Sequence, residues 1–421
     1  MFGALFWKEC RQVLKSLVYY IYVVVFVLFM TSQMSSEGYA KLQEPVPGQS
    51  YYGRTVTKDE AQIMEGTLTD LLRDVLGNSF ATYPLGFYKR VTLTDSERKQ
   101  AEDILERCTG KSFEALAEEM ISAQERMSPE EMVYGQSEAE VIEGQMDSYK
   151  VPVKEGLTYE EFEAAMEEIC RIVGKGSSYE KSRYENSTYV PMTYEQAREE
   201  FDALCEKDRL TRAYMRLFCD YAGIVLAILP IFVGVSRVIR DKRAKVQQVM
   251  FSKPASGAVI VVSRYLANLV MLCIPVFVTA FLLQQPFYYK AETFGIKGDF
   301  LAFFTVPGVW LLPEIMIVLA LSFLITEFTD SILAVFVQVV WGIGSLFGAT
   351  TLVGDFGMRL VARWNTLGKT ALFSSLEGEL LRNRGYYILL AIVCVALTVL
   401  VYERKRERGE TVYGKIRKTD G

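Results

Sequence analysis

Residues 237–264 read RVIRDKRAKVQQVMFSKPASGAVIVVSR. Long apolar segments flank this stretch at 217–236 and 265–283. Val238, Val246, Val249 and Met250 recur near helical spacing, and Arg240, Asp241, Lys242, Arg243 and Lys245 cover the other face. Ser252-Lys253-Pro254 stops the helix, because proline disfavours helical geometry in the residue before it. A short basic helix between two apolar runs has two readings. One is a solvated cytoplasmic loop that only fixes topology by its charge. The other is a docking helix that takes force from a cytoplasmic motor.

Working outward, half of the residues are hydrophobic, and they are concentrated in runs long enough to cross a bilayer. The pattern predicts an α-helical integral membrane protein with six transmembrane helices. These are expected at 17–34, 215–236, 258–283, 300–326, 331–353 and 386–402. Residues 1–16 read as an amphipathic cytoplasmic interface helix. Phe2, Leu5, Phe6, Val13 and Leu14 lie on one face, and Lys8, Arg11, Gln12 and Lys15 form much of the other. The run at 17–34 is too long and too aromatic for a signal peptide, and no small-residue cleavage pattern follows it, so it reads as a retained anchor. Residues 237–257 are expected to form a cytoplasmic basic helix and its loop, 354–385 an extracytoplasmic loop, and 403–421 a cytoplasmic tail. Only Glu327, Phe328, Thr329 and Asp330 join the fourth and fifth spans, which forces a tight hairpin.

Between the first two spans lies an insert, 35–214, expected to be an extracytoplasmic, mainly helical domain with minor β structure. Thr158 with Glu161 and Thr193 with Gln196 fit the capping-box pattern. Further helices are expected over 57–77, from Thr94 to about Cys108, and over 112–126, with a strand at 85–93. The insert holds roughly 36 acidic and 21 basic residues in a chain of net charge −5. It is therefore acidic beside basic loops, a membrane protein's charge separation and not a nucleic-acid binder's.

Charge also sets the topology. With the N-terminus inside, the basic pieces 1–16, 237–256 and 403–421 are cytoplasmic, both termini lie inside, and the insert lies outside the cell membrane. One loop runs against this rule. Residues 354–385 carry Arg359, Arg363, Lys369, Arg382 and Arg384, yet fall outside.

Little chemistry is encoded. There is no histidine, which removes histidine-based acid–base work and the commonest zinc ligand sets. The seven cysteines show no CxxC pair; a Cys170–Cys205 disulfide is open if the insert is extracytoplasmic. No GxxxxGK[ST] loop occurs, so the chain does not hydrolyse nucleotide by the P-loop route. No catalytic, cofactor-binding or metal-ligating set emerges. Two intramembrane charges stand out. Arg264 lies one to two turns into the third span, where it can snorkel. Glu314 follows Pro313 near the middle of the fourth span, with Pro307 upstream. A buried carboxylate in a proline-broken helix is a functional candidate; its structural reading is a partner for Arg264 or for a backbone group.

This order of elements resembles the permease of type-2 ATP-binding-cassette (ABC) exporters. The runs EKDRLTRAYMRLFCDYAGI (206–224) and RDKRAKVQQVMFSKPASGAVIVVSRYLANL (240–269) carry the likeness most specifically. With LTYEEFEAAMEEICRIVGKGSSY (157–179) and MTYEQAREEFDALCEKD (192–208), they resemble a bacterial subgroup with a large ectodomain between the first two crossings. The resemblance implies a coupling helix at Arg240, Asp241, Arg243, Val246 and Gln247. It further implies an interface helix with Trp7, Lys8 and Arg11 along the inner leaflet, a separate ABC ATPase subunit, and a second permease copy or paralogue. ATP-driven closure of the ATPase would rock the spans between inward- and outward-facing states. The expected function is thus an exporter permease that is not itself an enzyme. The alternative is a membrane-anchored receptor or scaffold whose ectodomain does the work; six crossings, Arg264, Glu314 and several prolines favour the permease, because an anchor needs one or two.

Overall fold

A computed structural model describes residues 2–34, 43–49, 51–84, 89–125, 149–243, 255–348 and 351–407. The chain is mostly helical and divides into two compact units: 1–46 with 195–421, and 47–194.

The first unit begins with α1, Phe2–Val13, and α2, Leu17–Gln33, which meet at 68°. Alternate faces of α2 differ sharply. Tyr19, Tyr22, Phe26 and Met30 are buried, while Leu17, Tyr20, Ile21, Val24 and Leu28 are exposed. A helix that is apolar all round and half exposed is built for lipid.

The second unit opens with β1, Arg54–Val56, and α3, Glu60–Leu76. Asp59 caps α3 by accepting from the amides of Ala61 and Gln62. Then come β2, Phe80–Thr82; β3, Lys89–Val91; α4, Asp95–Thr109; and α5, Phe113–Glu125. The unit closes with α6, Tyr159–Val173; α7, Lys181–Ser187; and β4, Tyr189–Pro191. Both Thr94/Glu97 and Thr158/Glu161 form complete capping boxes. The strands make two antiparallel ribbons, β1 with β4 and β2 with β3. Leu68, Leu71, Leu72, Phe80, Leu105 and Phe162 are fully buried in its core. The strand expected at 85–93 is described only over β3; residues 85–88 lie outside the described residues.

The first unit resumes with α8, Tyr194–Glu206, directly after Thr193. This helix was expected to belong to the insert. It counts instead with the membrane helices, where Phe201 packs edge-on against Phe294 at 5.2 Å. Next are α9, Thr211–Leu226, and α10, Leu229–Arg243, bent by 43°. The break precedes Pro230, which has no N–H to continue the ladder. Ala227 O, left without a helical donor, accepts from Gln338 Nε2 at 2.7 Å.

Helix α11, Gly257–Thr293, continues well past 283, so the loop expected at 284–299 is shorter. Its Pro275 withholds an amide from Met271 O, and Tyr19 of α2 donates its hydroxyl to that carbonyl at 3.0 Å. The fourth apolar segment is two helices, α12, Ala302–Trp310, and α13, Leu312–Thr329, broken at Leu311 between Pro307 and Pro313. Glu327 to Thr329, expected as connection, remain helical; Asp330 caps α13 with φ 56°. α14, Leu333–Phe347, is apolar but short. Finally α15, Thr370–Glu407, spans 38 residues. The expected outer loop therefore ends at Lys369, not 385.

Among the described residues, three helices suit a membrane crossing by length and composition: α11, α13 and α15. The count reaches five if each bent pair, α1–α2 and α9–α10, is one span. Close helix approach holds them together. A methyl group added at Gly234 of α10 would overlap Ser322 Oγ of α13 and stand 2.8 Å from its Cβ. All seven cysteines are free, Cys170 and Cys205 among them.

Candidate functional site

Two buried charge clusters occupy the membrane unit. The first ties α1 to α10 and α11. Arg237 donates from Nε and Nη2 to the two carboxylate oxygens of Glu9, at 2.6 and 2.7 Å. Its Nη1 donates to Asp241 at 2.8 Å. Arg264 Nη2 donates to the other Asp241 oxygen at 2.6 Å, and Arg264 Nε lies 3.7 Å from Glu9. Two carboxylates and two guanidiniums thus alternate, each touching both partners of opposite sign. All four are at least mostly buried, with side-chain exposures of 5, 7, 7 and 17% for Arg237, Glu9, Arg264 and Asp241. Mutual pairing is what makes so much buried charge tolerable.

This cluster reassigns Arg264. Its charge reaches a carboxylate pair at the end of its own span, not Glu314. Of the expected coupling residues, Asp241 is part of the cluster, and Arg240 points outward with Nη1 3.5 Å from Gln12 O. Arg243 is the last residue of α10; Val246 and Gln247 lie outside the described residues. On α1, Trp7, Lys8 and Arg11 are all exposed, Trp7 by 66%. Glu9 and Arg237 were not singled out from the sequence. Their only signal there is a carboxylate on the helix face shared with Cys10 and Val13, which are buried.

The second cluster surrounds the break in the fourth segment. Glu314 occupies the first turn of α13 and is fully buried. Arg384 of α15 lies 3.5 Å away. Neither oxygen of Glu314 has a hydrogen-bond partner among the described residues. On α9, Asp220 accepts from Arg363 Nε at 2.8 Å, from Arg363 Nη2 at 3.2 Å and from the amide of Trp364 at 2.5 Å. Nearby, Asp208 binds Arg216 through both oxygens and also accepts from Thr370 at 2.5 Å. Arg359 pairs with Asp355 at 2.9 Å. Three arginines of the loop that seemed to violate the charge rule are therefore neutralised from within. No group of three or more His, Cys, Asp or Glu that would hold a metal ion occurs among the described residues.

Long apolar helices with lipid-suited faces, stitched by buried ion pairs, define a multi-pass membrane protein. A family model described as ABC-2 family transporter protein matches residues 3–360. The chain belongs to that family, and is thereby a permease of an ABC-type transporter, a membrane transport subunit of a kind generally not itself catalytic. Permeases of this family work with an ABC ATPase. No curated protein and no solved structure matches the chain.

Proposed function

We propose that the chain is the membrane half of an ABC exporter driven by a separate ATPase subunit, with a second permease copy or paralogue completing the pathway. Six crossings follow if α1 lies in the inner leaflet, α2, α9–α10, α11, α12–α13, α14 and α15 each cross once, and both termini are cytoplasmic. Residues 47–194 then lie outside, as in the subgroup with a large ectodomain. The observation that carries the reading is the Glu9–Arg237–Asp241–Arg264 cluster. It fastens the interface helix to both helices that flank the basic stretch 237–257. Force applied there enters α1, α10 and α11 together, because buried paired charges resist separation by several kcal/mol.

The coupling role belongs to Arg240, Asp241, Arg243, Val246 and Gln247. Asp241 serves it from behind, by anchoring the stretch, whereas exposed Arg240 faces the motor. Affinity purification of the full chain from its native membrane tests the proposal. Recovery of a nucleotide-hydrolysing subunit is expected; its absence under conditions that keep the permease intact would overturn the reading in favour of a receptor.

A further inference from the structure

We propose, resting on the permease reading, that residues 352–365 are a plug in the pathway and that Arg384 is the link through which α13 controls it. The segment reaches the surface at Leu352 and Met358 but turns other apolar side chains inward. Phe356, Leu360, Val361 and Trp364 are completely buried. It folds back on itself, with Val353 bridged to Trp364 and the amide of Asn365 donating to Leu352 O at 2.9 Å.

One side is fixed. Asp220 accepts three hydrogen bonds from Arg363 and Trp364, so α9 and the plug behave as one body. The other side is held by one face of α15. Asn383 Nδ2 donates to the carbonyls of Phe356, Gly357 and Arg359 at 3.2, 2.8 and 2.8 Å. Tyr387 donates to Met358 O at 2.8 Å. Arg384 Nη1 donates to Leu360 O at 3.0 Å.

Arg384 is the exceptional member, because its other arm points away from the plug. Nη2 stands 3.5 Å from Glu314 without a hydrogen bond, and both Glu314 oxygens lack one among the described residues. A buried ion pair held short of hydrogen-bonding distance is poorly compensated for its desolvation. It is the place where a small shift changes the energy most. The break at Leu311 lets the first turn of α13 shift without α12. Movement of Glu314 toward Arg384 closes their gap and clamps the guanidinium between Glu314 and Leu360 O. Movement away leaves Arg384 held by Leu360 O alone and loosens the plug. Asp220–Arg363 is the hinge side and Glu314–Arg384 the latch side.

The test is thiol accessibility in the full chain in lipid nanodiscs, with Val361→Cys labelled by a hydrophilic maleimide and read by peptide mass spectrometry. Val361 and a control position, Ala280 of α11, are both completely buried. Glu314→Gln is expected to raise labelling at 361 about tenfold or more and to leave Ala280→Cys protected. Arg384→Gln should do the same, and the two together should do no more than either alone. Glu314→Asp, which keeps the charge but withdraws it by one methylene, should fall between. Unchanged labelling at 361, additive effects, or equal labelling at 280 would each overturn the latch. Because neither ATPase nor cargo is needed, such a failure leaves the permease reading intact.

Discussion

Arg237 and Glu9 are joined by two parallel hydrogen bonds, at 2.6 and 2.7 Å, although 228 residues separate them in the chain. A fork-to-fork pair of this kind fixes orientation as well as distance. It sets the angle at which the amphipathic first helix leaves the bundle. Glu9→Ala leaves two buried guanidiniums to share the single carboxylate of Asp241. The expected cost is about 3–5 kcal/mol, seen as a lowered unfolding temperature of the purified chain in detergent. Glu9→Gln keeps an acceptor and should lose clearly less. Equal stability of Glu9→Ala and the parent would show that the cluster is solvated.

Arg240 takes almost no part in that cluster, which leaves its charge available to a partner. Reversing both Arg240 and Arg243 to Glu is expected to uncouple the partner ATPase. Co-purification and ATP hydrolysis would drop, while the amount of chain in the membrane stays at the parent level. Unaltered hydrolysis in the double variant would remove these residues from the coupling role.

Gly234 of α10 lies against Ser322 of α13 with no room for a further methyl group between them. Gly234→Ala should cost about 1–3 kcal/mol through overpacking, measured by thermal unfolding. The bulk removed by Ser322→Gly should recover much of that loss in the double variant. Independent, additive losses would mean that the two helices do not meet at these positions.

Asp74 gives the unit of residues 47–194 a pH signature. Burial raises its pKa from 3.8 to about 6, against the lowering effect of the hydrogen bond from Tyr179, with Asp70 adding to the rise. Folding therefore favours the protonated form. The stabilisation is complete below about pH 4 and is lost as pH rises through about 6. Asp74→Asn stays neutral throughout and should be more stable than the parent at pH 8 by about 1–2 kcal/mol, discounted for partial exposure. The difference should vanish near pH 4. Unfolding temperatures of parent and variant at the two pH values decide it.

Much of the fold was legible because its signals are local. Apolar runs marked the chain as a helical membrane protein, and Thr158 with Glu161 placed a helix start to the residue. Glu314 was legible as exceptional because it is a carboxylate in an apolar run. Its partner was not. Arg264 lies closer in sequence, but Asp241 is closer still and takes it. The partner, Arg384, sits in a stretch whose five basic residues read as a solvated outer loop. Sequence counts charges without showing that Asp220 and Glu314 turn two of them inward. The cluster at Glu9 was invisible for the same reason: pairings across hundreds of residues leave no periodic trace.

The length of α15 has a mechanical consequence. At about 57 Å, its 38 residues outreach the ~30 Å hydrocarbon layer. Roughly 20–26 Å along it from Thr370, Asn383, Arg384 and Tyr387 hold the carbonyls of residues 356–360. At its C-terminal end, Lys405 grips Asp330 at 2.8 Å and Arg406 donates to Ala255 O at 2.7 Å. A rod gripped midway and at one extremity is a lever. The turn after α13 bears on its long arm, with residues 356–360 at the fulcrum.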